Sequence, residues 1–396
     1  MAGLPGGGVV VAGKVWTGAG SPPFTPTVTV WSADGSRRWT ASLPGWSSAT
    51  AVVGTPGGGV VAGRVESADV AEIVSYLGDG TPNPGFGVGG IAQIPVPSYP
   101  VVGGYTPYAT VSALALDGDG RIVVALVSGQ CDNRVRACRY SDGAVHLTRL
   151  LPDGAVDPDF HGGTPLPIGV NSTPVFDLRS KLVTWADGSI GVATGVGPDA
   201  VTKVLPDGSG LDRAFGDGGA AFVQPGAEAG CGVGDDVGVL DLRPDGTLLA
   251  TFEHGPTGSP APGPDCDWVA VQLTADGVLD PTFAGDGRLE LPQWYLDPYT
   301  RSSSDGDGGF SVIVPRGSAD PSLGNTGEGL RVLVRSYAPD GHVRSDHQLP
   351  AYFELSSHSV VGATLQLLDS VVDGSGNRYV HSEGGDSPYR GLIALG

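Results

Sequence analysis

Lysine is nearly missing. Only Lys14, Lys181 and Lys203 occur in 396 residues, and 22 basic residues face 42 acidic ones, for a formal net charge of −20. Binding to a phosphate backbone needs a basic surface, so this balance excludes nucleic acid as a partner. Long apolar runs are missing as well. None reaches the roughly 18 residues a membrane-spanning helix needs, so membrane insertion by helices is not expected. The opening "MAGLPGGGVV" lacks the basic and apolar regions of a signal peptide, so the chain is expected to be a mature or cloned fragment, or one that never used that export route, as a virion component released by lysis would not. No amphipathic helix can be traced. The catalytic patterns H-E-x-x-H, G-x-S-x-G and the P-loop do not occur. "GFGVGG" at 85–90 fits G-x-G-x-x-G but leads into "IAQIPVP", not into the helix that a dinucleotide site requires.

Glycine and proline are plentiful, at 66 and 33 residues, together a quarter of the chain. Disorder is still the wrong reading. The apolar residues fall in short β-branched runs bounded by glycine, such as "GGGVVVAGKV" and "RIVVALV". Such runs read as strands, and the glycines as the turns between them.

The chain also repeats itself. One phrase is an apolar run, a Gly-rich turn and a second apolar run: "VVGTPGGGVVAGRV", "ALALDGDGRIVVALV", "LVTWADGSIGVATGV" and "VLDLRPDGTLLATFE", with weaker copies "SSSDGDGGFSVIV" and "DSVVDGSGNRYVH" and a truncated "LPGGGVVVAGKV" at the start. The second phrase is a run, a D-G turn and a closing motif: "VSYLGDGTPNPGF", "TRLLPDGAVDPDF", "TKVLPDGSGLDRAF" and "VQLTADGVLDPTF", with degenerate "TVWSADGSRRW" and "RSYAPDGHVRSDH". Seven copies of the first and six of the second alternate with a period of about 60 residues. Four strands per period, joined by D-G and G-G hairpins and repeated radially, predict an all-β, seven-bladed β-propeller whose last blade lacks a strand. The blades are expected at about 1–46, 47–109, 110–174, 175–235, 236–304, 305–363 and 364–396.

These phrases resemble the bacterial delta-60 repeat, whose consensus runs close to "ALQPDGKIVVAG … LARLNADGSLDTSFGGDG". The likeness covers nearly the whole chain and is best over 109–291. It implies a propeller-like fold and is silent on activity.

The phenylalanines of the closing motif, Phe86, Phe160, Phe215 and Phe283, follow each turn glycine by six or seven residues. One aromatic per period reads as a plug between neighbouring blades. The preceding Asp157, Asp212 and Asp280 read as caps for backbone N–H groups, with Ca2+ binding as the other use of such carboxylates. With strands lettered A to D from the inside outward, the short A–B and C–D turns share one face. The long, irregular B–C and D–A connections share the other, where function is expected.

On that face the sequence places Tyr99, Tyr105 and Tyr108, and then Trp294, Tyr295 and Tyr299 with Arg301 nearby. Such aromatics either contact a glycan or protein ligand or pack the loops. Cys131, Cys138, Cys231 and Cys266 map there too, with 131–138 and 231–266 as the natural disulfides of an extracellular, cell-surface or virion protein. The alternative is four free thiols. Glu354 and His358 before the seventh unit, with His381 and Glu383 in its B–C loop, form the best acid–base or metal-binding constellation, with Asp235, Asp236 and Arg301 near the channel mouth; the alternative is solvated surface charge. The leading expectation is a non-enzymatic recognition module. The alternative is a polysaccharide lyase or hydrolase. Oligomeric state is not legible.

Overall fold

A computed structural model describes residues 1–16, 24–43, 49–57, 59–67, 70–97, 105–132, 140–171, 180–194, 200–223, 236–253, 269–291, 301–305, 307–316, 331–350, 365–372, 378–384 and 390–395. Apart from a single 3-10 turn at His161–Gly163, every element among them is a strand.

The strands form seven antiparallel sheets. The first contains β1 (Ala2–Gly3), β2 (Val9–Trp16), β3 (Phe24–Trp31) and β4 (Arg37–Ser42). The second contains β5 (Ala51–Gly54), β6 (Val60–Ser67), β7 (Val70–Tyr76) and β8 (Ile91–Pro95). The third contains β9 (Tyr105–Leu116), β10 (Ile122–Asp132), β11 (Tyr140–Leu150) and β12 (Leu166–Asn171). The fourth contains β13 (Ser180–Thr184), β14 (Ile190–Thr194), β15 (Ala200–Val204) and β16 (Ala220–Phe222). The fifth contains β17 (Asp236–Leu242), β18 (Leu248–Glu253), β19 (Val269–Leu273) and β20 (Arg288–Glu290). The sixth contains β21 (Arg301–Ser304), β22 (Phe310–Arg316), β23 (Arg331–Tyr337) and β24 (Val343–Pro350). The last contains three strands, β25 (Leu365–Val372), β26 (Arg378–Gly384) and β27 (Arg390–Leu395).

Each sheet is a meander in chain order, and its first strand lies beside the first strand of the next sheet. The series runs β1, β5, β9, β13, β17, β21 and β25, and β25 lies beside β1. This is an all-β propeller of four-stranded antiparallel blades. Two expected boundaries need moving. The one at 109/110 falls inside β9, and residues 301–304, expected at the end of the fifth unit, are β21 of the sixth.

The cores explain the composition. Among the described residues five apolar clusters occur, each formed by two consecutive sheets from the first to the sixth. A middle strand is therefore packed on both faces, and buried residues run along it without the alternation of a one-sided sheet. All five residues of β19, VAVQL, are buried. The outer strands β4, β8, β16 and β20 are short or carry polar residues at solvent-facing positions, which blunts the sheet edges.

Candidate binding faces and the joints between blades

The closing motif ties each blade to the next. Phe86, Phe160, Phe215 and Phe283 are each at most 1% exposed. The residue after each one donates its N–H to a turn carbonyl of the following blade. These bonds are Gly87 to Asp153 at 2.7 Å, His161 to Asp207 at 2.8 Å, Gly216 to Asp276 at 2.7 Å and Ala284 to Asp340 at 2.8 Å. The donor residue must turn into the left-handed region to do this. His161 (φ 48°) and Ala284 (φ 50°) are the non-glycine residues with positive φ among those described. The ring then covers the turn glycine of the next blade. A Cβ at Gly277 would stand 2.9 Å from the Phe215 ring and 2.7 Å from Gly216 N. Only glycine fits, because the turn needs φ +76° and the plug leaves no room.

The aspartates cap as expected. Asp157 Oδ1 accepts from Asp159 N at 3.0 Å, Asp212 from Ala214 N at 3.1 Å and Asp280 from Thr282 N at 2.9 Å. Asn83 does the same for Gly85 N at 3.0 Å. Blades one and six lack the insertion that carries this motif, because β4 and β24 start two residues after the turn glycines Gly35 and Gly341. In blade one Trp39 of β4 takes over, donating Nε1–H to Gly78 O at 3.0 Å beside Gly80. Sequence reasoning did not single out Trp39. Its signal is an aromatic within the degenerate copy "SADGSRRW".

Beside each plug lies one position of the third strand that varies from blade to blade. Ser75, Arg149, Lys203 and Gln272 are counterparts, since each carbonyl accepts from Asn83, Asp157, Asp212 or Asp280 N at 2.9, 2.9, 2.8 and 2.8 Å. Arg149 fills the joint between blades three and four. Its Nε–H donates to Asp157 at 2.7 Å, its Nη1 to Pro206 O at 2.6 Å, and its guanidinium lies 4.9 Å from the Phe160 ring centre. Both members of this ion pair are buried, at 3% and 2% exposure. Lys203 fills the next joint, 3.2 Å from Asp212 and 4.8 Å from the Trp185 ring centre. Between blades five and six Gln272 binds Asp280 at 2.8 Å, and Arg243 donates to Gln272, to Gly308 O and, at 3.3 Å, to Pro339 O.

The joint between blades two and three differs. Ser75 and Thr55 stand where the other joints place larger groups, and a cavity of about 240 Å³ remains. Thr55, Ser75, Asn83, Phe86, Leu116, Ile122, Gly120 and Pro152 are among its lining residues, and none of the lining residues is charged.

The opposite face carries the long connections. Tyr105 and Tyr108, expected in a loop, belong to β9, and Cys131, also expected in a loop, belongs to β10. Tyr105 pairs with Asp132, Tyr108 with Gly129, and Thr106 with Cys131. The β9–β10 ladder continues six pairs past the point matching the last β13–β14 pair, Ser180 with Thr194. That is a ribbon projecting by roughly 20 Å. β11 flanks its tip, with Tyr140 opposite Cys131.

His381 and Glu383 are not in a B–C loop. They lie within β26, paired with Asp369 and Gln366 on one side and with Leu392 and Arg390 on the other. The register of a closed ladder, and not a loop, sets their spacing. Arg301 opens β21 and Asp236 opens β17. Tyr99, Trp294, Tyr295, Tyr299, Asp235, Glu354, His358, Cys138, Cys231 and Cys266 lie outside the described residues, and so do both expected disulfides as pairs. Among the described residues no group of three or more His, Cys, Asp or Glu is placed to hold a metal. The cap aspartates spend their oxygens on N–H donors and on Arg149, Lys203 or Gln272. No helix among the described residues is long and apolar enough to cross a membrane.

No family model matches the chain, and no curated protein does. Solved structures do resemble it. A Bacteroides caccae protein of unknown function is 12% identical, with 88% of this chain and 96% of that one covered and a TM-score of 0.44. The six-bladed fucose-recognising lectin of the fungus Aleuria aurantia is 8% identical, with 88% and 97% covered and a TM-score of 0.40. An ulvan lyase of polysaccharide lyase family PL25 is 9% identical, with 86% and 81% covered and a TM-score of 0.41. These likenesses concern chain path alone, and the propeller assignment rests on the sheets themselves.

Proposed function

We propose that this protein is a non-enzymatic recognition module, a single ring of seven delta-60-type blades that binds a glycan or a protein through its long-connection face. Seven sheets, and the neighbouring of β25 and β1, support the blade count. The observation that carries the function is the β9–β10 ribbon. A scaffold latched at every described joint from blade one to blade six holds the β9–β10 ladder six pairs beyond the matching β13–β14 ladder, with two tyrosines on the extended strand. A rigid base with an extended, aromatic-bearing edge suits recognition. The reading includes an extracellular, cell-surface or virion location, and a Cys131–Cys138 disulfide stapling the ribbon tip. Support for the staple is the pairing of Cys131 with Tyr140, two residues beyond Cys138.

The test is retention of the protein on immobilised polysaccharides, with new reducing or unsaturated ends measured in parallel. Retention without new ends, lost in Tyr105→Ala/Tyr108→Ala, is the expected result. Turnover abolished in His358→Ala or His381→Ala would replace the reading with a lyase or hydrolase using Glu354, His358, His381 and Glu383. With neither retention nor turnover, a pull-down decides for or against a protein partner.

A further inference from the structure

We propose that the cavity between blades two and three is a binding site for a guanidinium group supplied from outside the chain, as an arginine side chain or a small alkylguanidinium. The site lies on the short-turn face and is independent of the ribbon.

The template is internal. At four other joints the chain brings its own cation to this level of the blade interface. Arg38 donates to Gly78 O at 3.2 Å, Arg149 to Pro206 O, and Arg243 to Pro339 O, while Lys203 sits against Trp185 and Asp212. Gly78, Pro152, Pro206 and Pro339 occupy one position, just before the Asp-Gly of the third-to-fourth-strand turn. Of these, Gly78 and Pro152 both line the cavity, and Pro152 holds the place in the hollow joint that Pro206 and Pro339 hold in theirs. Gly120 lines it too, and is the counterpart of Gly308, whose carbonyl accepts from Arg243. Phe86 supplies the ring that Phe160 offers to Arg149. The hollow joint thus keeps the surroundings of a guanidinium while Ser75 and Thr55 replace the side chains that would deliver one.

Charge favours the same occupant. Asn83 replaces the contact carboxylate found at the next three joints. At the Arg243 joint the direct hydrogen bonds go to an amide and two carbonyls, and the Asp280 carboxylate is reached through Gln272, so the guanidinium there makes no direct hydrogen bond to the contact carboxylate. Asp79 and Asp153 belong to the turns on either side, and the net charge of −20 draws cations toward the surface.

Calorimetric titration tests this with three probes: acetyl-arginine methylamide, its neutral isostere acetyl-citrulline methylamide, and methylguanidinium. The arginine compound should bind saturably with a Kd of about 1 mM or tighter, and the citrulline compound at least tenfold more weakly. Methylguanidinium binding as well as the arginine compound assigns a free small molecule. Weaker binding assigns an arginine of a polypeptide. Ser75→Arg/Asn83→Asp fills the joint from within, copying Arg149 and Asp157, and should abolish binding with no loss of thermal stability. If that variant fails to fold, Thr55→Arg, copying Arg243, serves instead. Equal affinity for the citrulline compound, no saturable binding of arginine, or unchanged arginine binding in the folded filled variant would each overturn the proposal.

Discussion

Blades three and four meet around a buried ion pair, and blades two and three meet around a cavity, although both joints carry the same phenylalanine, the same turn glycine and the same inter-blade hydrogen bond. The plug and the turn therefore set how blades are spaced and tilted. The side chain beside the plug sets only what fills the remaining volume. The chemistry at that one position differs from joint to joint while the plug and the inter-blade hydrogen bond are kept.

The strongest way to break this comparison is to remove a plug. Phe160→Ala should cost about 3–5 kcal/mol, since a fully buried ring is lost from a closed interface. Trp39→Ala should cost less, because Trp39 is only half-buried. Urea denaturation of both variants checks the order. A cost for Phe160→Ala below that for Trp39→Ala would show that the plug is not what holds the blades.

Next in size is the filled joint. Arg149→Met leaves Asp157 buried without its cation, and breaking such a pair costs about 3–5 kcal/mol. The double variant Arg149→Met/Asp157→Asn removes both charges and should recover more than half of that loss. Chemical denaturation at neutral pH reads both. Equal stability of the single and double variants would mean that the pair contributes nothing beyond packing.

The difference between joints also shows what was legible. Alternating phrases in the sequence implied four strands per unit, the plug role of Phe86, Phe160, Phe215 and Phe283, and the caps at Asp157, Asp212 and Asp280. Each recurs at a fixed place, so period alone exposes it. Ser75, Arg149, Lys203 and Gln272 share a place but not a chemistry, and a pattern read by residue type passes over them. Trp39 was missed because blade one lacks the insertion that makes the motif visible. His381 and Glu383 were assigned to a loop because the last blade is degenerate, and turn signals there are too weak to fix where β26 ends. Tyr105 and Tyr108 were read as loop residues because proline and glycine precede them. Nothing local announces that β9 and β10 run on as a ribbon.

Acid titration sharpens the comparison at the turns. Asp79, Asp207, Asp245, Asp280 and Asp340 lie below the ordinary carboxylate pKa, chiefly because turn hydroxyl and N–H groups donate to them. A depressed folded-state pKa stabilises the fold above the unfolded value, and the gain is lost as pH falls through the folded value. The urea midpoint should therefore hold above about pH 5 and fall below about pH 4. Asp241 runs the other way. Burial raises its pKa, opposed by Arg243, so its charged form disfavours the fold at neutral pH. Asp241→Asn should raise the midpoint at pH 7, with a gain that shrinks as pH falls and the native Asp241 itself becomes protonated. A gain independent of pH would exclude this cause.

The smallest expected effect tests the hydrogen bond that accompanies the plug. At the residue after the phenylalanine, two joints have glycine (Gly87, Gly216) and two have a side chain in the left-handed region (His161, Ala284). The side chain pays a conformational penalty of about 1–2 kcal/mol there, offset in part because glycine costs more entropy to order, by up to about 1 kcal/mol. Ala284→Gly should thus stabilise the protein by several tenths to about 1 kcal/mol, and Gly216→Ala should destabilise it by more. The second change adds a clash to the backbone penalty, since a Cβ at Gly216 would stand 2.2 Å from Ala220 O. Thermal denaturation of both variants against the parent reads opposite signs if the left-handed turn is imposed by the inter-blade bond to Asp340 and Asp276. A loss of stability in Ala284→Gly would show instead that the alanine methyl contributes packing against Gly341, 3.3 Å from where a Cβ there would lie.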